Sequence, residues 1–187
     1  MTGNAIVIGA SAGGVQALAQ ILPTLTAETP PVVIVVHIPP GKNNALVDLF
    51  AARCGLLVKE AEDKEPLLAG TIYFAPSDYH LLVEADRTLA LSSEETVNYS
   101  RPAIDVLFET AADAFGKELI GVILTGANHD GAQGLRAVEA AGGVALVEDP
   151  AMAEVPTMPA AALSACSSAR AMSLEQIRTF LQEPIAS

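Results

Sequence analysis

Ala5-Ile6-Val7-Ile8-Gly9-Ala10-Ser11-Ala12-Gly13-Gly14 runs from an apolar, β-branched stretch into a glycine-rich turn, and a helical pattern follows it. Four apolar residues in a row, bounded by glycine, read as a strand buried on both faces, which is the mark of a parallel sheet covered by helices. Within the turn, Gly9-Ala10-Ser11-Ala12-Gly13 has the Gly-x-Ser-x-Gly spacing. Glycines at those positions let the chain bend sharply and clear space for a carbonyl. The serine hydroxyl then points outward beside free N–H groups at a helix start. The motif is short and recurs by chance, so its weight depends on the rest of the chain. Taken alone, Ser11 could equally cap the following helix, or the glycines could cradle a phosphate.

Working outward, short β-branched runs alternate with longer helical patterns. Residues 32–36 (Val32-Val33-Ile34-Val35-Val36), 119–124 and 143–147 repeat the all-apolar strand signature of residues 5–9. Residues 13–22, 43–54, 101–116, 131–141 and 173–182 have helical spacing, with Pro102 near one helix start and Gly142-Gly143 at another helix end. Residues 71–92 hold Tyr73-Phe74, Leu81-Leu82-Val83 and Leu89-Ala90-Leu91, separated by Pro76-Ser77-Asp78 and Asp86-Arg87, which predicts an antiparallel meander. The expected fold is α/β: a doubly wound, mostly parallel sheet with helices on both faces and an antiparallel meander at one edge. Residues 1–187 read as one domain.

Composition narrows the function. Hydrophobic residues make up 51% of the 187 and charged residues 17%, a globular balance. The net charge of −12, with ten Lys and Arg against twenty-two acids, argues against nucleic acid or an anionic membrane surface as partner. No apolar run approaches the ~20 residues needed to span a bilayer, and no leader pattern precedes the first strand. Cys54 and Cys166 fit no metal spacing and suit a reducing compartment, so a cytoplasmic protein is expected. No metal or organic cofactor is called for.

In an open parallel sheet, ligands bind beyond the carboxyl ends of the strands. Three strands end in reactive residues: the first in Ser11, the second in His37, and the third in Thr125-Gly126-Ala127-Asn128-His129 before Asp130-Gly131. A serine nucleophile needs an imidazole to take its proton, and the imidazole needs a carboxylate to fix its tautomer and stabilise its charged form. Ser11, His37 and Asp130 are therefore the candidate catalytic set, with backbone N–H groups of Ala12, Gly13 and Gly14 holding the oxyanion. Each has a plainer reading. His37 could be a satisfied strand-end residue, and Asp130 before Gly131 could be an ordinary helix cap. His80, in the meander, reads as structural, and His129 adjoins Asp130 too closely to pair with it. Lys42, Asn43 and Asn44 read as the polar start of the second helix.

Gly9-Ala10-Ser11-Ala12-Gly13-Gly14, His37-Ile38-Pro39-Pro40-Gly41, Ala75-Pro76-Ser77-Asp78-Tyr79-His80-Leu81, Arg101 through Phe108, Leu124-Thr125-Gly126 with Asp130-Gly131-Ala132, and Met158-Pro159 together resemble the catalytic domain of chemotaxis receptor protein-glutamate methylesterases of the CheB type. Six blocks in order are far more specific than any one. The resemblance implies a Ser-His-Asp triad on Ser11, His37 and Asp130. It also implies, as substrate, γ-glutamyl methyl esters on the cytoplasmic helical region of methyl-accepting receptors or a related methylated protein, with glutamine deamidation in some members. The family pattern differs at four places. Ala12 replaces threonine, Gly126-Ala127-Asn128 replaces Gly-Met-Gly, Asp149-Pro150 stands for Asp-Glu, and Thr157 stands where glycine precedes Met158. Ala127 thus takes the methionine position that helps shape the oxyanion region. Members commonly carry a phosphoacceptor receiver domain. Here Met1-Thr2-Gly3-Asn4 reads as a natural start, so a stand-alone esterase is expected, with any receiver or regulator a separate protein. Its acidity calls for a local basic patch against glutamate-rich receptors, drawn from Lys42, Arg53 or Arg101, although Arg101 has a competing task in anchoring the helix at Pro102. The rival readings are a catalytically weak regulatory or binding descendant of this fold, and a nucleotide- or phosphate-binding α/β module.

Overall fold

The computed structural model describes residues 4–39 and 41–184. Pro40 and Met1-Thr2-Gly3, both named in the sequence reading, lie outside them. In chain order the elements are β1 (Ala5–Ala10), α1 (Gly14–Ile21), β2 (Val32–Val36), α2 (Asn43–Ala51), β3 (Leu57–Glu60), β4 (Thr71–Phe74), β5 (His80–Val83), β6 (Leu89–Ser92) and α3 (Ile104–Phe115). They continue with β7 (Leu119–Ile123), α4 (Ala132–Ala140), β8 (Val144–Glu148), α5 (Thr157–Ala165), β9 (Arg170–Met172) and α6 (Leu174–Gln182).

Among the described residues, seven strands form one sheet in the order β3-β4-β2-β1-β7-β8-β9, and every neighbouring pair is parallel. The continuous apolar runs explain this. All residues of β1, β2 and β7 are buried, so each strand needs a covering layer on both faces. Alternate residues of β1 divide between the two cores: Val7 packs with Ile104, Phe108 and Leu135 on one face, and Ile6 and Ile8 pack with Leu18, Ile21 and Ile177 on the other. Helices α3, α4 and α5 contribute to the first layer, and α1, α2 and α6 to the second. Helix α6 is fixed at its start by a capping box between Ser173 and Gln176. The chain leaves β1 for β2 and β4 on one side and returns to β7 and β8 on the other, so the strand order reverses between β1 and β7. A crevice forms at such a reversal.

The predicted meander divides in two. Leu81–Val83 and Leu89–Leu91 do pair antiparallel, but as a separate two-stranded ribbon, with Val83 N–H bonded to Thr110 Oγ1 of α3 at 3.1 Å. Thr71–Phe74 instead enters the main sheet in parallel between β3 and β2. All four of its residues are buried, which an edge strand would not allow. Strands β3 and β9 and helix α5 escape sequence pattern because the strands are short and half exposed, and the helix is a run of small residues lacking an apolar stripe.

Candidate active site

Ser11 and His37 meet because of register. Ala10 pairs with Val36 on adjacent parallel strands, and His37 N–H donates to Ala10 O at 3.0 Å. The next residues therefore emerge side by side, at the ~4.8 Å spacing of neighbouring strands. On the other flank, Ser11 N–H donates to Thr125 O at 3.0 Å, tying the turn to the loop after β7. That loop brings in Asp130. His37 Nε2–H donates to Asp130 Oδ2 at 2.9 Å, with the imidazole 14% exposed and the carboxylate fully buried. The three predicted residues thus come from neighbouring strands at the reversal. Nε2 faces Asp130, and Nδ1, on the other side of the ring, lies 3.2 Å from Asn128 Nδ2.

Asp130 is held by four donors. Oδ2 also accepts from Ile104 N–H at 2.7 Å, and Oδ1 accepts from Asp105 N–H at 3.1 Å and from Asn98 Nδ2 at 2.8 Å. Burial alone would raise the Asp130 carboxyl. The bonds from His37, Ile104, Asp105 and Asn98 outweigh it and hold the group below the usual carboxylate range, so it stays ionised. The plain reading of Asp130 as cap of its own helix is replaced by an exchange. Asp130, which precedes α4, caps α3, whose own Ncap residue Ala103 has no side chain able to accept. Asp105, on α3, returns the bond to Gly131 N–H at 2.9 Å and Gly134 N–H at 2.7 Å at the start of α4. Asn98 spans the two, donating also to Asp105 Oδ2 at 2.8 Å. Burial pushes Asp105 up, and the nearby Asp130 charge adds to the effect against the bonds from Gly134, Asn98 and Gly131. Gly131 sits at φ 97°, and a Cβ there would lie 2.6 Å from Ile123 Cδ1, so glycine is required next to Asp130.

The oxyanion donors need one correction. Gly14 N–H is already bonded to Ser11 O at 2.8 Å, and a Cβ at Gly14 would come within 2.8 Å of Ala10 Cβ. Gly14 therefore closes the turn and seats α1 on β1, and cannot also hold an oxyanion. The amides of Ala12 and Gly13 have no backbone or side-chain acceptor among the described residues, and Gly13 adopts φ 80°. Ala127 is exposed in the loop after β7. A phosphate cradle is disfavoured, because Glu154 Oε2 lies 2.7 Å from where a Gly13 Cβ would be, placing a carboxylate over the turn.

The other histidines separate as expected. His80 is buried, accepts Ala103 N–H at Nδ1 (3.2 Å) and bonds Glu95 O through Nε2 (2.8 Å); His129 is exposed. Of the candidate cations, Lys42 and Arg53 are exposed. Arg101 does the anchoring work: its guanidinium bonds Asp78 Oδ1 twice (2.7 and 3.1 Å) and the carbonyls of Ser93 and Glu94. It helps wall a cleft of about 480 Å³ running from His37 and Ile38 past Ser77 to Tyr99 and Ser100. Tyr99 is wholly exposed at its lip. No group of side chains among the described residues is arranged to hold a metal ion.

Sequence reasoning missed Asn98 and the roles of Asn128 and Asp105. Asn128 showed only as a departure from the family pattern, and Asp105 only as a carboxylate in the apolar stripe of Ile104, Phe108 and Ala112. Asn98 lies in an exposed turn, where an asparagine is unremarkable.

A serine, a histidine and a buried aspartate at the carboxyl ends of parallel strands, beside a strand-order reversal, place the protein in the class of α/β carboxylic ester hydrolases. Residues 6–181 match the CheB methylesterase family model. A putative protein-glutamate methylesterase/protein-glutamine glutaminase of Leptospira interrogans is 49% identical over 178 residues, 95% of this chain and 92% of the relative. A protein-glutamate methylesterase/protein-glutamine glutaminase of Rhodospirillum centenum is 36% identical, and there the chain spans 46% of the relative's length. The crystal structure of the Thermotoga maritima CheB methylesterase catalytic domain superposes with a TM-score of 0.90 at 34% identity, covering 97% of this chain and 98% of that one. The chain belongs to the CheB methylesterase family.

Proposed function

We propose that residues 1–187 are one catalytic domain that hydrolyses glutamyl methyl esters on methyl-accepting chemotaxis receptors, releasing methanol. The observation that carries the reading is the His37–Asp130 pair at 2.9 Å beside Ser11, fixed by the β1–β2 register. His37 Nδ1 takes the Ser11 proton as the oxygen attacks the ester carbonyl. The oxyanion is held by the amides of Ala12 and Gly13. Methanol leaves with the proton from Nδ1, and water, deprotonated by the same nitrogen, cleaves the acyl-enzyme. Asp130 remains ionised and stabilises the imidazolium. The same route, with ammonia leaving, would deamidate glutamine. Substrate enters along the cleft that His37 shares with Tyr99. No helix among the described residues is long and apolar enough to cross a membrane.

The test is methanol release from methylated receptor cytoplasmic fragments by wild type, Ser11→Ala and His37→Gln. Release that collapses in both folded variants supports the reading. Release that persists in Ser11→Ala removes the serine mechanism. Covalent labelling of Ser11 by a phosphonate without methanol release moves the substrate elsewhere.

A further inference from the structure

The side chain of Asn128, in the loop after β7, reaches the active-site base. Asp130 N–H donates to Asn128 Oδ1 at 3.0 Å, which fixes the amide's orientation: the oxygen end belongs to the backbone and the nitrogen end points away from it. Asn128 Nδ2 lies 3.2 Å from His37 Nδ1. An amide NH₂ can only donate. Nδ1 must therefore carry a lone pair, which agrees with Nε2–H donating to Asp130. The ring is held at both ends, and the nitrogen that must accept the Ser11 proton is already accepting from Asn128. Among the described residues the Ser11 hydroxyl has no hydrogen-bond partner.

We infer that Asn128 is a positioning residue that occupies the lone pair of the resting base and is displaced as substrate engages. The inference rests on the reading of His37 as base to Ser11. When the serine O–H bond breaks, its proton forms a new N–H bond at Nδ1 and its electron pair goes to the substrate carbonyl carbon. The Asn128 N–H···Nδ1 bond breaks in the same step, because a protonated Nδ1 cannot accept. Asn128 therefore opposes reaction with small molecules that leave it in place. A glycine at this position leaves the lone pair open.

The experiment is labelling of Ser11 by a small fluorophosphonate, alongside nitrogen NMR of histidine-labelled protein, for wild type, Asn128→Gly and Asn128→Asp. Removing a neutral hydrogen bond of ~1 kcal/mol predicts labelling about fivefold faster in Asn128→Gly. Asn128→Asp keeps the acceptor for Asp130 N–H but turns an acceptor toward Nδ1. Its predicted result is a protonated Nδ1 in the spectrum and slower labelling than wild type. Wild-type spectra with a bare Nδ1, together with these opposite shifts, establish the role. Equal labelling rates in all three proteins, or a wild-type Nδ1 that is protonated, overturn it. Failure of wild type to label at all defeats the functional reading itself, a result distinct from wild-type labelling that Asn128 substitutions leave unchanged.

Discussion

Replacing Asp130 by asparagine tests whether one buried carboxylate both orients the base and holds two helices together. Oδ1 and Oδ2 each receive two donors: Asn98 and Asp105 on one, His37 and Ile104 on the other. An asparagine keeps one oxygen and sets an NH₂ against the other two donors. Hydrogen bonds to a charged group are worth ~1.5–3 kcal/mol each. Losing two of them gives a range of about 3–6 kcal/mol, reduced by relief of the repulsion between Asp130 and Asp105. A net loss of about 3 kcal/mol is expected, equivalent to a fall in Tm of about 6–12 °C for a chain of this size. The comparison also has a pH signature. The native Asp130 carboxyl titrates below its unfolded value, so its contribution is complete above the ordinary carboxylate range and is lost as pH falls through the native value. The gap between wild type and Asp130→Asn should thus be widest near neutrality and close on acidification. Thermal melts of both proteins across a pH series check this. A Tm within about 2 °C of wild type at neutral pH would show that the cap exchange between α3 and α4 is not held by the charge. In the same variant, kcat should fall by about 10⁴-fold through loss of the correct His37 tautomer.

The remaining expectations are more direct. Ser11→Ala should lower kcat by at least ~10⁵-fold in a methanol-release assay, with Tm unchanged within error. Gly131→Ala, forcing a Cβ into Ile123 at a positive φ, should cost at least ~1–3 kcal/mol in chemical denaturation and disturb Asp130; a neutral result would mean the backbone there is free to move. Glu148 is buried with Oε2 bonded to Thr125 N–H at 2.8 Å, and burial pushes its carboxyl up, with Glu154 adding to the rise. Because its native value lies above the unfolded one, ionising it costs stability as pH rises, so Glu148→Gln should gain Tm over wild type at pH 8 relative to acid; a constant difference across pH refutes this. Finally, if the substrate is the acidic receptor region proposed above, a chain of net charge −12 should show kcat/KM rising with added salt from about 0.01 to 0.15 M, and a fall would locate a basic docking patch that dominates.

The residue pattern by itself determined that β1, β2, β7 and β8 lie in a parallel sheet covered on both faces, and it pointed to Ser11, His37 and Asp130. All-apolar runs can be satisfied only by burial on both faces, and reactive residues placed directly after such runs must fall at one edge of the sheet. Glycine spacing fixed the turn at Ser11. Tertiary structure decided everything that depends on which segments meet across the fold. Thr71–Phe74 became a central strand because a four-residue run says nothing of its neighbours, and the slot between β3 and β2 buried it on both faces. Asp130 became a cap for α3 rather than for its own helix because Asp105 reached across to take that place. Asn98 and Asn128 joined the site through contacts spanning 32 and 91 residues, distances at which local sequence carries no record of the partner. Hydrophobic periodicity is a local signal and survives in the sequence. Hydrogen-bond partnership between distant loops is a property of the folded chain alone.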